Sequence, residues 1–196
     1  ALYIFALYMA QNRNYVEESV IENIKSELLS LPKKVKKALE TDDITKKIAQ
    51  KICGETDIFY LGRALDYAVA MEGSLKLKEI SYIHSEPYAG GELKHGPIAL
   101  IEKGTVVIAL NTNDALKGKM ESNIKEVVTR GAYIVGVLPD GFDTPADMYD
   151  EVINVPATEA LLSPVTAVVP LQLLSYHVAI AKGCNVDKPR NLAKSV

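Results

Sequence analysis

Lys76 and Glu79 stand three residues apart in the segment KLKEIS, and His95 follows in the glycine-punctuated segment GELKHGP. In a helix, residues three or four apart share a face, so Glu72, Lys76 and Glu79 would lie together. A carboxylate and a histidine can act as general acid and base, and a lysine ammonium can hold an oxyanion. These residue types suit the opening of a sugar ring and proton transfer beside a carbonyl, although the spacing alone names no reaction.

The same spacing also fits a surface ladder of ion pairs, each contributing roughly 0.2–0.5 kcal/mol to helix stability. On the residues alone, both interpretations stay open. His95 has Gly90, Gly91, Gly96 and Pro97 around it. Such a loop can approach a small ligand closely, and a histidine can both give and take a proton near pH 7.

Short apolar strands alternate with helices from Thr41 onward. The predicted strands are 57–62, 105–110, 132–138 and 151–155, and the predicted helices are 64–82, 113–129 and 160–182. This alternation predicts an α/β fold, a three-layer doubly wound parallel sheet flanked by helices. Ligands of such sheets bind beyond the carboxyl ends of the strands. Gly62 and Arg63 lie at the carboxyl end of the first predicted strand and are a weak candidate for an anion site.

The first 40 residues are predicted to be a helical connector. Residues 1–13 indicate the end of a helix, and 16–40 is amphipathic, with Pro32 expected to break or kink it. The chain starts without Met in an apolar run, which we interpret as a helix whose partners lie upstream. We therefore predict two parts: residues 1–40, the last helix of a preceding domain plus a connector, and a domain over residues 41–196.

Composition narrows the class of protein. The net charge of −3 provides no basic field to attract nucleic acid, and the apolar stretch 160–181 is interrupted by prolines, which favours a buried helix over a membrane span. Cys53 and Cys184 lie far apart, as expected for reduced thiols in a cytoplasmic protein. The three histidines show no metal-ligand spacing, so we expect no metal and no cofactor.

Four segments resemble the C-terminal sugar isomerase (SIS) half of the glutamine–fructose-6-phosphate amidotransferases. They are Glu72–His84, Gly91–Leu100, Pro170–Ala179 and Asp187–Val196. The resemblance covers nearly the whole chain. It implies a flavodoxin-like second SIS domain over 41–196, preceded by the last helix of a first SIS domain. It also implies the synthesis of glucosamine 6-phosphate from fructose 6-phosphate and glutamine-derived ammonia, for hexosamine biosynthesis.

The resemblance also implies roles for individual residues. Glu79 matches the base that carries a proton between C1 and C2 of the sugar, and Lys76 matches a lysine beside it. His95 matches a histidine that helps to open the sugar ring in the active site of the neighbouring subunit of a homodimer. Lys194 matches a tail lysine that contacts the open-chain sugar and can form an imine, and Ala193 matches a residue lining the sugar site.

The sequence lacks a glutaminase domain and a convincing phosphate-binding loop, which the family carries elsewhere. We therefore expect this chain by itself to have little or no synthase activity. Two other interpretations stay open: a phosphosugar-binding SIS module without catalysis, and a fructosamine-6-phosphate deglycase. The helix with Lys76 and Glu79, the loop with His95 and the tail with Lys194 favour the enzyme over the binding module.

Overall fold

A five-stranded parallel sheet forms the centre of the computed structural model, which describes residues 1–191. The strands are β1 (Asp57–Gly62), β2 (His84–Ala89), β3 (Val106–Leu110), β4 (Tyr133–Pro139) and β5 (Glu151–Val155). Their spatial order is β2-β1-β3-β4-β5, and each neighbouring pair is parallel. This is the flavodoxin-like order, in which the chain reverses direction across the sheet between β1 and β3. The predicted fold class is confirmed.

Helices cover both faces of the sheet. They are α1 (Leu2–Arg13), α2 (Glu18–Ala38), α3 (Asp42–Ile52), α4 (Leu65–Ser81), α5 (Lys117–Val128) and α6 (Ser163–Ala181). One face packs its alternate strand residues against α3, α4 and α6. The other face packs against α5 and against turns that contribute Leu93 and Ile101. The central strand β3 is buried at all five positions, as expected for a strand covered on both sides.

The sequence predicts four strands, and β2 was missed. This strand pairs with β1 alone and lies at the edge of the sheet, in register from His84 opposite Asp57 to Ala89 opposite Gly62. Its sequence HSEPYA contains Pro87 and has no apolar run. An edge strand tolerates proline because one side of its backbone has no ladder partner. The interpretation of this segment as a connection was therefore wrong.

Two local preferences are outweighed in the helices. The break that Pro32 could cause is absent, because α2 continues from Glu18 to Ala38 and packs on α6, whereas a kink at Pro32 stays a prediction. Thr41 is a residue type that favours helix N-termini, but it does not cap α3 with its side chain, because its hydroxyl donates to the carbonyl of Ala38. In both cases packing in the folded chain outweighs the local preference of one residue.

Helix α6 is the one helix in the described residues that is long and apolar enough to cross a membrane. More than half of its most apolar window is buried in the fold. Its contacts are mainly with α3 and α4. These contacts agree with the predicted core helix of an α/β domain.

Helix α1 packs differently from the others, because none of its residues is buried. Leu2, Ile4, Phe5 and Tyr8 all expose more than half of their surface. This pattern is compatible with the predicted connector over residues 1–40, and the boundary at residue 41 stays a prediction.

Candidate functional site

Helix α4 carries the predicted lysine and carboxylate. The helix starts abruptly after β1: Ala64 has a positive φ of 50°, and a Cβ on Gly62 would lie 2.5 Å from the carbonyl of Asp66. Only glycine permits such a close approach of the backbone. Helix α4 then returns from the carboxyl end of β1 to the amino end of β2. Its last turn, which carries Glu79, therefore lies near the amino ends of the strands.

Lys76 lies between two carboxylates on one face of α4. Its Nζ is 2.7 Å from Oε2 of Glu79 and 3.7 Å from Oε1 of Glu72. The side chains of Lys76 and Glu79 are both about two-thirds buried, at 32% and 28% exposure. The hydrogen bond to Glu79 raises the pKa of Lys76, and partial burial opposes the increase. Lys76 therefore remains an ammonium that can stabilise negative charge beside Glu79.

The carboxyl-terminal segment of the chain passes over this pair. Val186–Pro189 and the α4 residues Lys76, Glu79 and Ile80 together line a cavity of about 670 Å³. This volume lies within the range of small-molecule sites, roughly 300–1,000 Å³. The structure thus brings Lys76, Glu79 and the start of the tail together. The predicted sugar-site residues Ala193 and Lys194 lie outside the described residues.

His95 follows the carboxyl end of β2, whereas Glu79 lies near the amino ends of the strands. It ends a short 3-10 turn after β2 and is exposed, while the neighbouring Leu93 is fully buried and fixes the loop to the core. Glu79 precedes β2, whereas His95 follows it, so the length of that strand separates them. Within one chain, the structure does not bring His95 to Glu79.

A buried carboxyl group that the sequence did not reveal lies near the carboxyl end of β1. Asp66, in the first turn of α4, is 4% exposed. It accepts hydrogen bonds from the Thr112 N–H at 2.8 Å and from the Thr112 hydroxyl at 2.5 Å. Burial raises its pKa, and the hydrogen bonds from Thr112 oppose that increase. An acidic residue in the first turn after a strand-ending glycine was the available signal, because helix N-termini favour negative charge.

Asp66 removes support for the candidate anion site at Gly62 and Arg63. Its carboxyl group already accepts the N–H and the hydroxyl of Thr112 beside these residues, and its negative charge would repel a phosphate. The Nε of Arg63 donates to Oδ1 of Asn123 at 2.9 Å, so part of the guanidinium is engaged within the fold as well.

His177 joins two helices of the fold. Its Nε2 lies 2.8 Å from Oδ1 of Asp42, and its side chain is only 11% exposed. This contact links α6 to the start of α3.

Comparisons with known proteins identify the family and the fold of the chain. The family described as "SIS domain" matches residues 51–182. A protein from Clostridium tetani named glutamine–fructose-6-phosphate aminotransferase [isomerizing] is 57% identical over all 196 residues of this chain, which correspond to 32% of that relative. The chain thus spans about a third of the length of the curated relatives that it matches.

Solved structures share the same architecture. The C-terminal domain of glucosamine-fructose-6-phosphate aminotransferase from Francisella tularensis superposes with a TM-score of 0.91 at 40% identity, covering 95% of this chain and 53% of that one. Glucosamine-6-phosphate deaminase from Thermotoga maritima superposes with a TM-score of 0.63 at 26% identity, covering 95% of this chain and 52% of that one.

Proposed function

The chain belongs to the SIS domain family, and on that premise we propose that it forms the isomerase half of a glucosamine-6-phosphate synthase. The observation that supports this proposal most directly is the Lys76–Glu79 pair in a cavity that the tail also lines. The 57% identity to the Clostridium tetani relative over the whole chain supports the same assignment. The substrates are then fructose 6-phosphate and ammonia, and the product is glucosamine 6-phosphate.

Glu79 is the proposed base of the isomerisation. Ammonia adds to the C2 carbonyl of the open-chain ketose, and loss of water leaves an imine. Glu79 removes a proton from C1 while the imine nitrogen gains a proton, which gives an enaminol. Glu79 then returns its proton to C2 and the C1 hydroxyl loses its proton, so C1 becomes the aldehyde of the amino sugar and the nitrogen becomes an amine. No oxidant or reductant is needed. The ion pair with Lys76, at 2.7 Å, orients the Glu79 carboxylate for this transfer.

Lys76 is proposed to act through its charge. An imine-forming lysine must lose its proton, which a lowered pKa favours. The pKa of Lys76 is raised by Glu79, so this ammonium is suited to stabilise an enolate-like oxygen or nitrogen instead. The imine role stays with Lys194, and Ala193 remains the proposed lining residue of the sugar site.

His95 is proposed to open the sugar ring in the site of a second copy of the chain. It is exposed, lies on a loop anchored by Leu93, and is remote from Glu79 of its own chain. The proposal therefore includes a homodimer. A cytoplasmic location also remains part of it.

The proposed function can be tested in a chimera that has the full length of a curated relative. This chain replaces the matching third of the Clostridium tetani protein, and formation of glucosamine 6-phosphate is measured. Glu79→Gln should lower kcat by about 100-fold or more, the usual contribution of a general base. Glu72→Gln is the matched control, because Glu72 shares the helix face but lies 3.7 Å from Lys76.

Solvent deuterium incorporation at C2 of the product separates the isomerisation from the earlier steps. A Glu79→Gln chimera that forms product at the rate of the Glu72→Gln control would refute the role of Glu79. An unaltered chimera that binds fructose 6-phosphate without turnover would instead favour the phosphosugar-binding module.

A further inference from the structure

The segment that covers Glu79 is folded by its own hydrogen bonds. Oδ1 of Asn185 accepts from the backbone N–H groups of Asp187 at 3.1 Å and Lys188 at 3.0 Å. Such an Asx turn fixes the direction of the chain, and Pro189 then restricts the next backbone torsion. The tail therefore leaves α6 with a defined path.

The path ends in a two-part contact with the end of α4. The backbone N–H of Arg190 donates to Oη of Tyr82 at 2.8 Å. The Arg190 guanidinium also stacks over the Tyr82 ring, 4.2 Å from its centroid. Tyr82 is the residue that terminates α4, only three positions after Glu79. One side chain thus ties the tail to the turn that carries the proposed base.

The backbone of Tyr82 is unusual for its residue type. Its φ of 62° lies in the left-handed region, where helix ends commonly place glycine or asparagine. A bulky side chain in this conformation is uncommon. From this helix end the Tyr82 side chain contacts Arg190 of the tail.

We propose that Tyr82 and Arg190 form a latch that positions the tail over the Lys76–Glu79 pair. Both are positioning residues, and their relevance to catalysis rests on the proposed function. Anchoring Arg190 to Tyr82 holds the residues before it, Val186–Pro189, along the cavity that they line together with Lys76 and Glu79. The ligand class is an open-chain phosphosugar in the cavity between α4 and the tail.

Trypsin cleavage after Arg190 measures the latch in this chain without any ligand. The neighbouring Lys188–Pro189 bond resists trypsin, so cleavage between Arg190 and Asn191 is identified unambiguously by mass. Tyr82→Phe removes the acceptor and should speed this cleavage about fivefold. Tyr82→Asn tolerates the left-handed backbone and removes the ring as well, so we expect about fifteenfold. Tyr15→Phe, at an 81% exposed tyrosine on the connector, is the control and should change nothing.

Cleavage at the same rate in both Tyr82 variants and the control would overturn the latch. In the chimera, Tyr82→Phe should lower kcat with little change in KM for fructose 6-phosphate and in thermal stability, and an unchanged kcat would overturn the positioning role. A chimera that makes no glucosamine 6-phosphate even without substitution would disprove the proposed function, while the proteolysis comparison would still decide the latch.

Discussion

Two inactive variants should restore activity when their chains are combined in one dimer. Glu79 lies before β2 and His95 after it, and the six residues of β2 rise about 20 Å along the sheet. Proton transfer requires groups within about 3 Å of the reacting atom, so the two cannot serve one sugar from the same chain. Under the proposed function, a site that uses both residues therefore needs Glu79 of one chain and His95 of a second copy.

The expected magnitude follows from counting sites. In a dimer of one Glu79→Gln chain and one His95→Ala chain, one site holds both substitutions and the other holds neither. Random mixing places half of the chains in such dimers, so about one quarter of all sites are intact in a symmetric twofold assembly. Co-expression of the two chimeras with different affinity tags isolates the mixed dimer, which should have about half of the full activity.

A matched pair tests the reasoning. Glu79→Gln combined with Lys76→Met should restore nothing, because both residues belong to the same helix and no mixed site is intact. Recovery in that pair, or no recovery in the Glu79–His95 pair although both chimeras fold and dimerise, would refute the assignment of the two residues to different chains.

Other predictions concern the scaffold. Gly62→Ala should destabilise the chain by roughly 1–3 kcal/mol in urea unfolding, because its Cβ would meet the rigid backbone of Asp66. Gly54→Ala, which meets nothing within 4 Å, should stay within about 0.5 kcal/mol. The hydrogen bond from Lys51 lowers the pKa of Glu151 below 4.5, so its contribution to stability is present above that pH and is lost as the pH falls through the folded pKa. Glu151→Gln should therefore lower the urea midpoint near pH 7 and have a smaller effect near pH 3. Equal effects at both pH values would contradict this origin.

Much of the architecture could be predicted from local patterns. The apolar runs of β1, β3 and β4 are buried on both faces, and continuous apolar runs of that length indicate strands in a parallel sheet. Strand β2 could not be identified in this way, because an edge strand need not be apolar on both sides. The four quoted motifs predicted the SIS family, which the match over residues 51–182 confirms.

The sequence alone determined the alternation of elements, the family and the pairing of Lys76 with Glu79, because each depends on residues that are near in sequence. Only the tertiary structure decided that Glu79 and His95 lie at opposite ends of the strands. It also decided that Asp66 is buried near the carboxyl end of β1 and that Tyr82 contacts Arg190. These facts depend on contacts between residues far apart in the chain, such as the 108 positions between Tyr82 and Arg190. The periodicity of apolar residues indicates which face of a helix or strand is buried. Strand order and helix packing determine which residues that face contacts.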